Sequence, residues 1–329
     1  MNGAQIAVDE INASDSAVKF EYNFQDDEGD AETAVNAYNI LKDWGMQVLM
    51  GTVTTAPCLA VISETEADNM FQITPSASST DVIVPDNVFQ VCFTDPNQGV
   101  SAADYIADNG LATKVAAIYD SSDAYSSGIY NAFAAEAEAK GLEIVCAEAF
   151  TADNKTDFRT QLQKAQSAGA DLVFLPIYYQ PASLILQQAT DMGYTPKIFG
   201  VDGMDGILTL EGFDTSLAEG VMLLTPFNAD ATDEKTQNFV TKYQELYGEV
   251  PNQFAADAYD CVYAYKAALE ASGATPDMDA QELCELMVST FPTLTFDGLT
   301  GEGTSWDATG AVSKSPKGMV IENGAYVGM

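Results

Sequence analysis

The sequence contains no histidine. That absence removes Ser-His-Asp and Cys-His nucleophile pairs and every metal site that needs an imidazole. Cations are scarce as well: 13 lysines and arginines stand against 49 aspartates and glutamates in 329 residues, a formal net charge of −36. A surface so poor in Lys and Arg argues strongly against nucleic acid, which needs them to displace counterions, and against an anionic membrane surface as partner. Cysteine is sparse and scattered. Cys58, Cys92, Cys146, Cys261 and Cys284 form no CxxC, which argues against a four-thiolate zinc site, and an odd count leaves at least one thiol unpaired. Cys92 and Cys146 sit in apolar strand-like runs and read as small buried hydrophobes. No apolar run approaches the ~20 residues that span a bilayer, and the start does not read as a signal peptide. The expectation is a soluble protein, or the soluble part of one whose targeting segment lies outside this sequence. No P-loop, GxSxG or GxGxxG is present, and no cofactor is expected.

What is present is material for real cores. Hydrophobic residues make up 47% of the chain, and its length suggests about two domains. Strand and helix periodicities alternate. Val18–Phe24 alternates cleanly, with Val18, Phe20, Tyr22 and Phe24 on one face, and predicts a strand. A helical stripe follows over Ala31–Trp44, then short strands at Gln47–Met50 and Phe71–Thr74 around a helix from about Pro57 to Ala67. Further strands are expected at Val88–Phe93, Lys114–Tyr119, Leu142–Phe150, Asp171–Pro176, Lys197–Phe199 and Gly220–Thr225, with helices between most of them. This pitch means βαβ units and mainly parallel sheets. The last third changes character: long helices at Asp233–Tyr247 and Phe254–Ser272, a Gly-rich stretch Phe296–Gly303, and Asn323-Gly324 between apolar strands, a type I′ hairpin signal. The first element, Asn2–Asn12, reads as a helix with Ala4, Ala7, Val8 and Ile11 on one face, whereas an open α/β sheet normally begins with a strand.

Several loops carry residues suited to a ligand. Gly51-Thr-Val-Thr-Thr-Ala-Pro57 follows a strand and opens a helix. Thr55 is expected to cap it, Pro57 suits the first turn, and the free N–H groups there make an anion site fit for a carboxylate; the alternative is an ordinary capped helix. Ile73-Thr-Pro-Ser-Ala-Ser-Ser79 puts small hydroxyl residues at the carboxyl end of a strand, where doubly wound sheets bind ligands; alone it could equally be a solvated turn. Asp202 follows a short strand and could pair with an ammonium group or be a turn residue. Tyr125, Tyr178 and Tyr179 could clamp a ligand or fill an interface. Asp26–Asp30 lacks the alternating spacing of a calcium loop and fits better as acidic complement to a helix N-terminus. No carboxylate pair stands out as a catalytic dyad.

Taken in order, the Asn2–Asn12 helix, Gln25-Asp-Asp-Glu-Gly-Asp30, Gly51-Thr-Val-Thr-Thr55, Ile73-Thr-Pro-Ser-Ala-Ser78 and Tyr119-Asp…Tyr125-Ser-Ser-Gly128 resemble the branched-chain amino-acid (Leu/Ile/Val) type of periplasmic binding protein, the solute receptor of an ABC importer. The resemblance covers essentially the whole chain. It implies the type I periplasmic-binding-protein fold: two doubly wound α/β lobes joined by three crossings, with ligand in a hinged cleft. Lobe one would run over residues 1–95 and 228–308, lobe two over 96–227 and 309–329. It implies that Thr54, Thr55, Ser76, Ala77 and Ser78 bind the ligand's carboxylate and ammonium, Ser76 through its carbonyl. Asp202 would be the acid for the ammonium, where the family typically carries Glu, with Tyr125 and Tyr178 as aromatic walls and Tyr259 as a weaker candidate. The family's first strand and the loop after it have no counterpart in this sequence, so a gap in the first sheet, and poor ligand binding, are expected.

The resemblance implies a non-enzymatic, monomeric receptor for an amino acid, delivered to the permease subunits of an ABC transporter. It would lie outside the cytoplasm, in the periplasm or at the cell surface as a lipoprotein whose signal peptide has been removed. An amide, a short peptide or an aromatic acid as ligand, and a sensor lobe of a signalling receptor, stay open alternatives. An enzyme working by Asp/Glu acid–base catalysis has no motif to support it.

Overall fold

The computed structural model describes residues 1–329. The chain divides into two compact units, each discontinuous in sequence: residues 1–94 with 231–315, and residues 95–230 with 316–329. The first pass through unit one gives α1 (Asn2–Ala13), α2 (Ala31–Trp44), β1 (Leu49–Met50), α3 (Thr55–Asp68), β2 (Gln72–Thr74) and β3 (Val88–Gln90). Unit two follows with α4 (Asp95–Asp108), β4 (Lys114–Asp120), α5 (Ala124–Lys140), β5 (Glu143–Phe150), α6 (Arg159–Ser167), β6 (Leu172–Leu175), α7 (Tyr179–Asp191), β7 (Lys197–Gly200) and β8 (Met222–Thr225). The chain returns to unit one for α8 (Glu234–Tyr247), α9 (Gln253–Ser272), α10 (Ala280–Thr290), β9 (Thr295–Phe296) and β10 (Thr304–Ser305), then closes unit two with β11 (Lys317–Glu322) and β12 (Ala325–Gly328).

Unit two holds one seven-stranded sheet in the order β12-β11-β8-β7-β6-β4-β5. β5, β4, β6, β7 and β8 are parallel, and the terminal hairpin adds two antiparallel strands. Both faces are covered, as a parallel sheet requires. Alternate residues of one strand feed two separate cores: Val173 and Leu175 pack on the side of α6 and α7, Leu172 and Phe174 on the side of α4 and α5. The hairpin turns on Asn323 (φ 54°) and Gly324 (φ 74°), with Glu322 paired to Ala325. Two consecutive positive φ values are what a type I′ turn needs, and Asn-Gly supplies them at low steric cost.

Unit one is built on a smaller sheet, β1-β2-β3, all parallel, plus the antiparallel pair β9–β10. Its main core stacks Phe71, Phe89, Tyr265, Phe291 and Trp306 over the sheet. α1 lies on α9 by its small face. A Cβ on Gly3 would sit 1.8 Å from the Ala255 carbonyl oxygen, so only glycine allows that approach. The Gly-rich stretch is pinned from below: Asp260 accepts from the N–H groups of Leu299 at 2.7 Å and Thr300 at 2.9 Å. Lys314, buried beside Asp257, donates to the Thr300 hydroxyl at 2.5 Å.

Three expectations need correction. Val18–Phe24 is not a strand, although its pattern alternates. Val18, Phe20 and Tyr22 are half-buried and Phe24 is 50% exposed, but no neighbouring strand offers a ladder. The neighbour it would need is across an open trough. Leu49 and Gly51 send their N–H groups to the carbonyls of Phe71 and Ile73, each at 2.9 Å, so Met50 between them turns its backbone to the opposite edge of β1. That edge borders a cavity of about 360 Å³ walled by Phe20, Tyr22, Phe24, Trp44, Leu49 and Met50 among others, where the resemblance expects a gap. Second, Thr55 does not cap α3. The N-cap is Thr54, whose side chain makes no capping hydrogen bond, and Thr55 is the first helical residue. Third, Cys92 is buried as expected, but Cys146 is only half-buried, and no disulfide joins any of the five cysteines.

Candidate functional site

Open parallel sheets bind ligands beyond the carboxyl ends of their strands, where strand order reverses. In unit two that reversal falls at β4, which pairs β5 on one side and β6 on the other. The segments leaving β4, β6 and β7 carry Tyr125, Tyr178 and Asp202, and the structure brings these three together. Asp123 caps α5 by accepting from the Tyr125 N–H, which turns the Tyr125 ring inward. The rings of Tyr125 and Tyr178 stack with centroids 4.6 Å apart and planes 15° apart. The Tyr125 hydroxyl donates to Asp202 Oδ1 at 2.6 Å and accepts from the Gly203 N–H at 2.9 Å. Such a short distance is typical of a hydroxyl on a carboxylate. Gly203 has to be glycine, because a Cβ there would lie 2.5 Å from the Tyr125 hydroxyl oxygen. Asp202 is only 3% exposed. Burial pushes its carboxyl up to about 6, against the opposing pull of the Tyr125 hydroxyl, Gln98 and the Gly203 N–H, while Asp205 adds like-charge repulsion.

Unit one presents hydroxyls and helix-start amides instead. Thr54 and Thr55 open α3 at the end of β1, and Ser76, Ala77 and Ser78 follow β2. Ser76, Ala77, Ser78 and Thr55 are buried. The Thr55 Oγ1 atom is buried without a hydrogen-bond partner, at the N-terminus of a 14-residue helix. The two loops are locked to each other through β2. Thr74 Oγ1 donates to the Thr52 carbonyl at 2.7 Å and accepts from the Ala77 N–H at 2.9 Å. Gln72 Nε2 donates to the Gly51 carbonyl at 2.8 Å. Gln90 Nε2 donates to the carbonyls of Ala77 and Ser79 at 2.8 and 2.9 Å.

Tyr259 is not brought to either loop by its hydroxyl. It donates to Glu10 Oε2 at 2.7 Å beside Tyr263 at 2.9 Å, with Lys242 3.1 Å from the other carboxylate oxygen, so it ties α9 to α1. Tyr179 begins α7 and packs against the core on the α6–α7 side. Sequence reasoning missed Gln72, Thr74 and Gln90, and in unit two Gln98, whose Oε1 accepts from the Asp202 N–H at 3.1 Å. A signal was there: a glutamine inside Phe71-Gln-Ile-Thr74 or Val88-Phe-Gln90 must find partners once buried. Asp26–Asp30 is a helix entrance. Asp30 caps α2 through the Thr33 N–H at 2.8 Å, and that bond holds its carboxyl below the usual carboxylate range. No group of side chains is arranged to hold a metal ion.

Two α/β units, each with polar loops at the carboxyl ends of parallel strands, place the chain in the class of small-molecule-binding α/β proteins. A model of the family described as periplasmic binding protein matches residues 1–324, and the chain belongs to that family. It is similar to the Leu/Ile/Val-binding protein homolog 3 of Brucella melitensis, 29% identical over 282 residues that cover 84% of this chain and 75% of that protein. Among solved structures it is similar to the leucine binding protein LivK of Thermotoga maritima, with a TM-score of 0.88, 27% identity, and coverage of 100% of this chain and 91% of that one. The branched-chain amino acid transporter substrate binding protein LivJ of Streptococcus pneumoniae, solved in complex with isoleucine, gives a TM-score of 0.86 and 28% identity, covering 100% and 93%. The expected α/β fold with mainly parallel sheets is therefore correct, and so is the expected family. No helix is long and apolar enough to cross a membrane.

Proposed function

We propose that the chain is the solute receptor of an ABC importer, which binds an amino acid with an apolar side chain and hands it to the permease without altering it. Its two units act as the two lobes of that receptor. In unit one the Thr54–Thr55 helix start and Ser78 suit a ligand's carboxylate and the Ser76 carbonyl its ammonium; in unit two Asp202 suits an ammonium, with Tyr125 and Tyr178 as aromatic walls. Tyr259 has no part in it, because its hydroxyl is committed to Glu10. The single observation that carries this reading is the buried, unpartnered hydroxyl of Thr55 at the start of α3. A buried donor without a partner costs about 1–3 kcal/mol, and a ligand carboxylate at a helix N-terminus removes that cost. The amino-acid specificities in the names of the relatives support the ligand class. The protein works outside the cytoplasm, in the periplasm or on the cell surface as a lipid-anchored monomer.

A thermal-shift screen over leucine, isoleucine, valine, amides, dipeptides and aromatic acids tests the ligand class. An amino acid at about 100 times its Kd stabilises the folded state by about 2.7 kcal/mol. Thr55→Ala combined with Asp202→Asn should abolish the shift given by amino acids. A full shift in that double variant refutes the site, and a shift with aromatic acids alone refutes the ligand.

A further inference from the structure

The C-terminal hairpin reaches the turn that carries Asp202. Strand β12 brings in Tyr326, whose ring packs against the core layer that includes Ile207 and Leu223. The Tyr326 hydroxyl accepts from the Gly206 N–H at 3.3 Å and is hydrogen-bonded to the Asp205 side chain. Asp205 is buried, and its own N–H returns to the Asp202 carbonyl at 2.9 Å. Gly206 follows with φ 100°, a conformation open to glycine and costly to other residues. The turn 202–206 is thus clasped at both ends by tyrosine hydroxyls from distant parts of unit two. Tyr125 holds Asp202 and Gly203 at its start, and Tyr326 holds Asp205 and Gly206 at its end.

We propose that Tyr326 is a positioning residue for Asp202: it touches no ligand, but fixes the turn that aims the Asp202 carboxylate. The proposal rests on the reading of Asp202 as the ammonium partner. The groups facing that carboxylate are Tyr125 from α5, with Tyr178 and Asp95 acting on Tyr125 in turn, Gln98 from α4, and Asp205 from the same turn. Asp205 is the one that Tyr326 governs. The like charge of Asp205 is one of the causes that raise the Asp202 carboxyl, so the spacing that the turn sets between the two matters.

Tyr326→Phe keeps the ring and removes the hydroxyl. In ligand-free protein labelled with ¹³C at the aspartate carboxyls, NMR titration should show the Asp202 midpoint lowered by about half a pH unit, because a turn released at Gly206 admits water to the buried Asp202 carboxyl and lets it move away from Asp205. An unchanged midpoint overturns the proposal. Calorimetry with isoleucine should show about tenfold weaker binding, the scale of one hydrogen bond to a charged group, with melting within a few degrees of the parent. A purely structural role would lower the melting temperature and leave the midpoint and the affinity of the folded fraction unchanged, which also overturns it. Should the parent bind no amino acid, the functional reading fails while the titration still decides the role of Tyr326.

Discussion

The two units draw on the same alternation of strand and helix, yet they use it unequally. The unit two sheet runs to seven strands, most of them four to eight residues long. The unit one parallel sheet has three strands of two or three residues, and the cleanly alternating segment Val18–Phe24 joins no ladder. The difference teaches that side-chain alternation predicts which face of a segment turns inward, not whether the segment becomes a strand. A ladder needs a backbone partner on at least one side. Val115 through Ala117 have such partners on both edges. Tyr22 and Phe24 face a trough.

Large truncations should expose that inequality most sharply. Phe174 is fully buried and stacks on Phe133 with centroids 4.0 Å apart, so Phe174→Ala should cost about 3–5 kcal/mol in guanidinium unfolding. Phe24→Ala, at the rim of the trough, should cost less than about 1 kcal/mol. Comparable losses would mean that the trough is already filled in solution. The converse experiment completes the smaller sheet. A six-residue Val/Ile-rich strand joined ahead of Met1 should enter beside β1, protect the amides of Met50 and Tyr22 from exchange, and raise the melting temperature of unit one by several degrees, at about 2–4 °C per kcal/mol. A proline-interrupted version should do neither. Equal exchange in all three proteins would sink the idea that the trough is a strand seat.

Much of the fold is legible in the sequence. The boundaries of α2 lay in Asp30, which caps it, and Gly45, which ends it at φ 102°. The terminal hairpin lay in Asn323-Gly324. These are local signals, read from one residue's conformational needs. The loops around Thr54–Thr55 and Ser76–Ser78 were found through their hydroxyls and their place after strands. What stayed hidden was non-local: that Tyr326, 121 positions after Asp205 in the chain, binds it, and that Gln72, Gln90 and Gln98 spend their amides on loop backbones. A lone polar residue in an apolar run shows its partner only once the chain is folded. Tyr259 is the converse: the sequence pattern predicts its helix, but the helix face that carries it turns to α1.

The buried acid of unit two supplies a pH contrast between the units. The Asp202 carboxyl sits at about 6 in the folded chain against an ordinary 3.8, so the folded state holds its proton more tightly than the unfolded state does. Its contribution to stability is fully present below pH 4 and is lost as pH rises through about 6. By linkage the loss is on the order of 3 kcal/mol. Without ligand, unit two should therefore weaken between pH 4 and pH 6.5, and Asp202→Asn should remove that slope and stabilise the protein at pH 7. An unchanged slope in the variant, measured by urea unfolding across that range, would show that another group titrates there.

The smallest contrast lies in two helix caps. In unit one, Asn252 caps α9 by accepting from the Ala255 N–H at 3.1 Å; it carries no charge to desolvate, and Asn252→Ala should cost about 1 kcal/mol. In unit two, Asp123 caps α5 through a longer bond of 3.3 Å to the Tyr125 N–H. Burial raises its carboxyl above the usual range, and the charge of Asp120 adds to the effect. Its ionised form is thus penalised at neutral pH, which offsets part of what the cap contributes. Asp123→Ala should accordingly cost less than Asn252→Ala at pH 7, about 0.5 kcal/mol or below. Chemical denaturation of the two variants side by side decides it: a larger loss for Asp123→Ala would mean that the cap outweighs the burial of its charge.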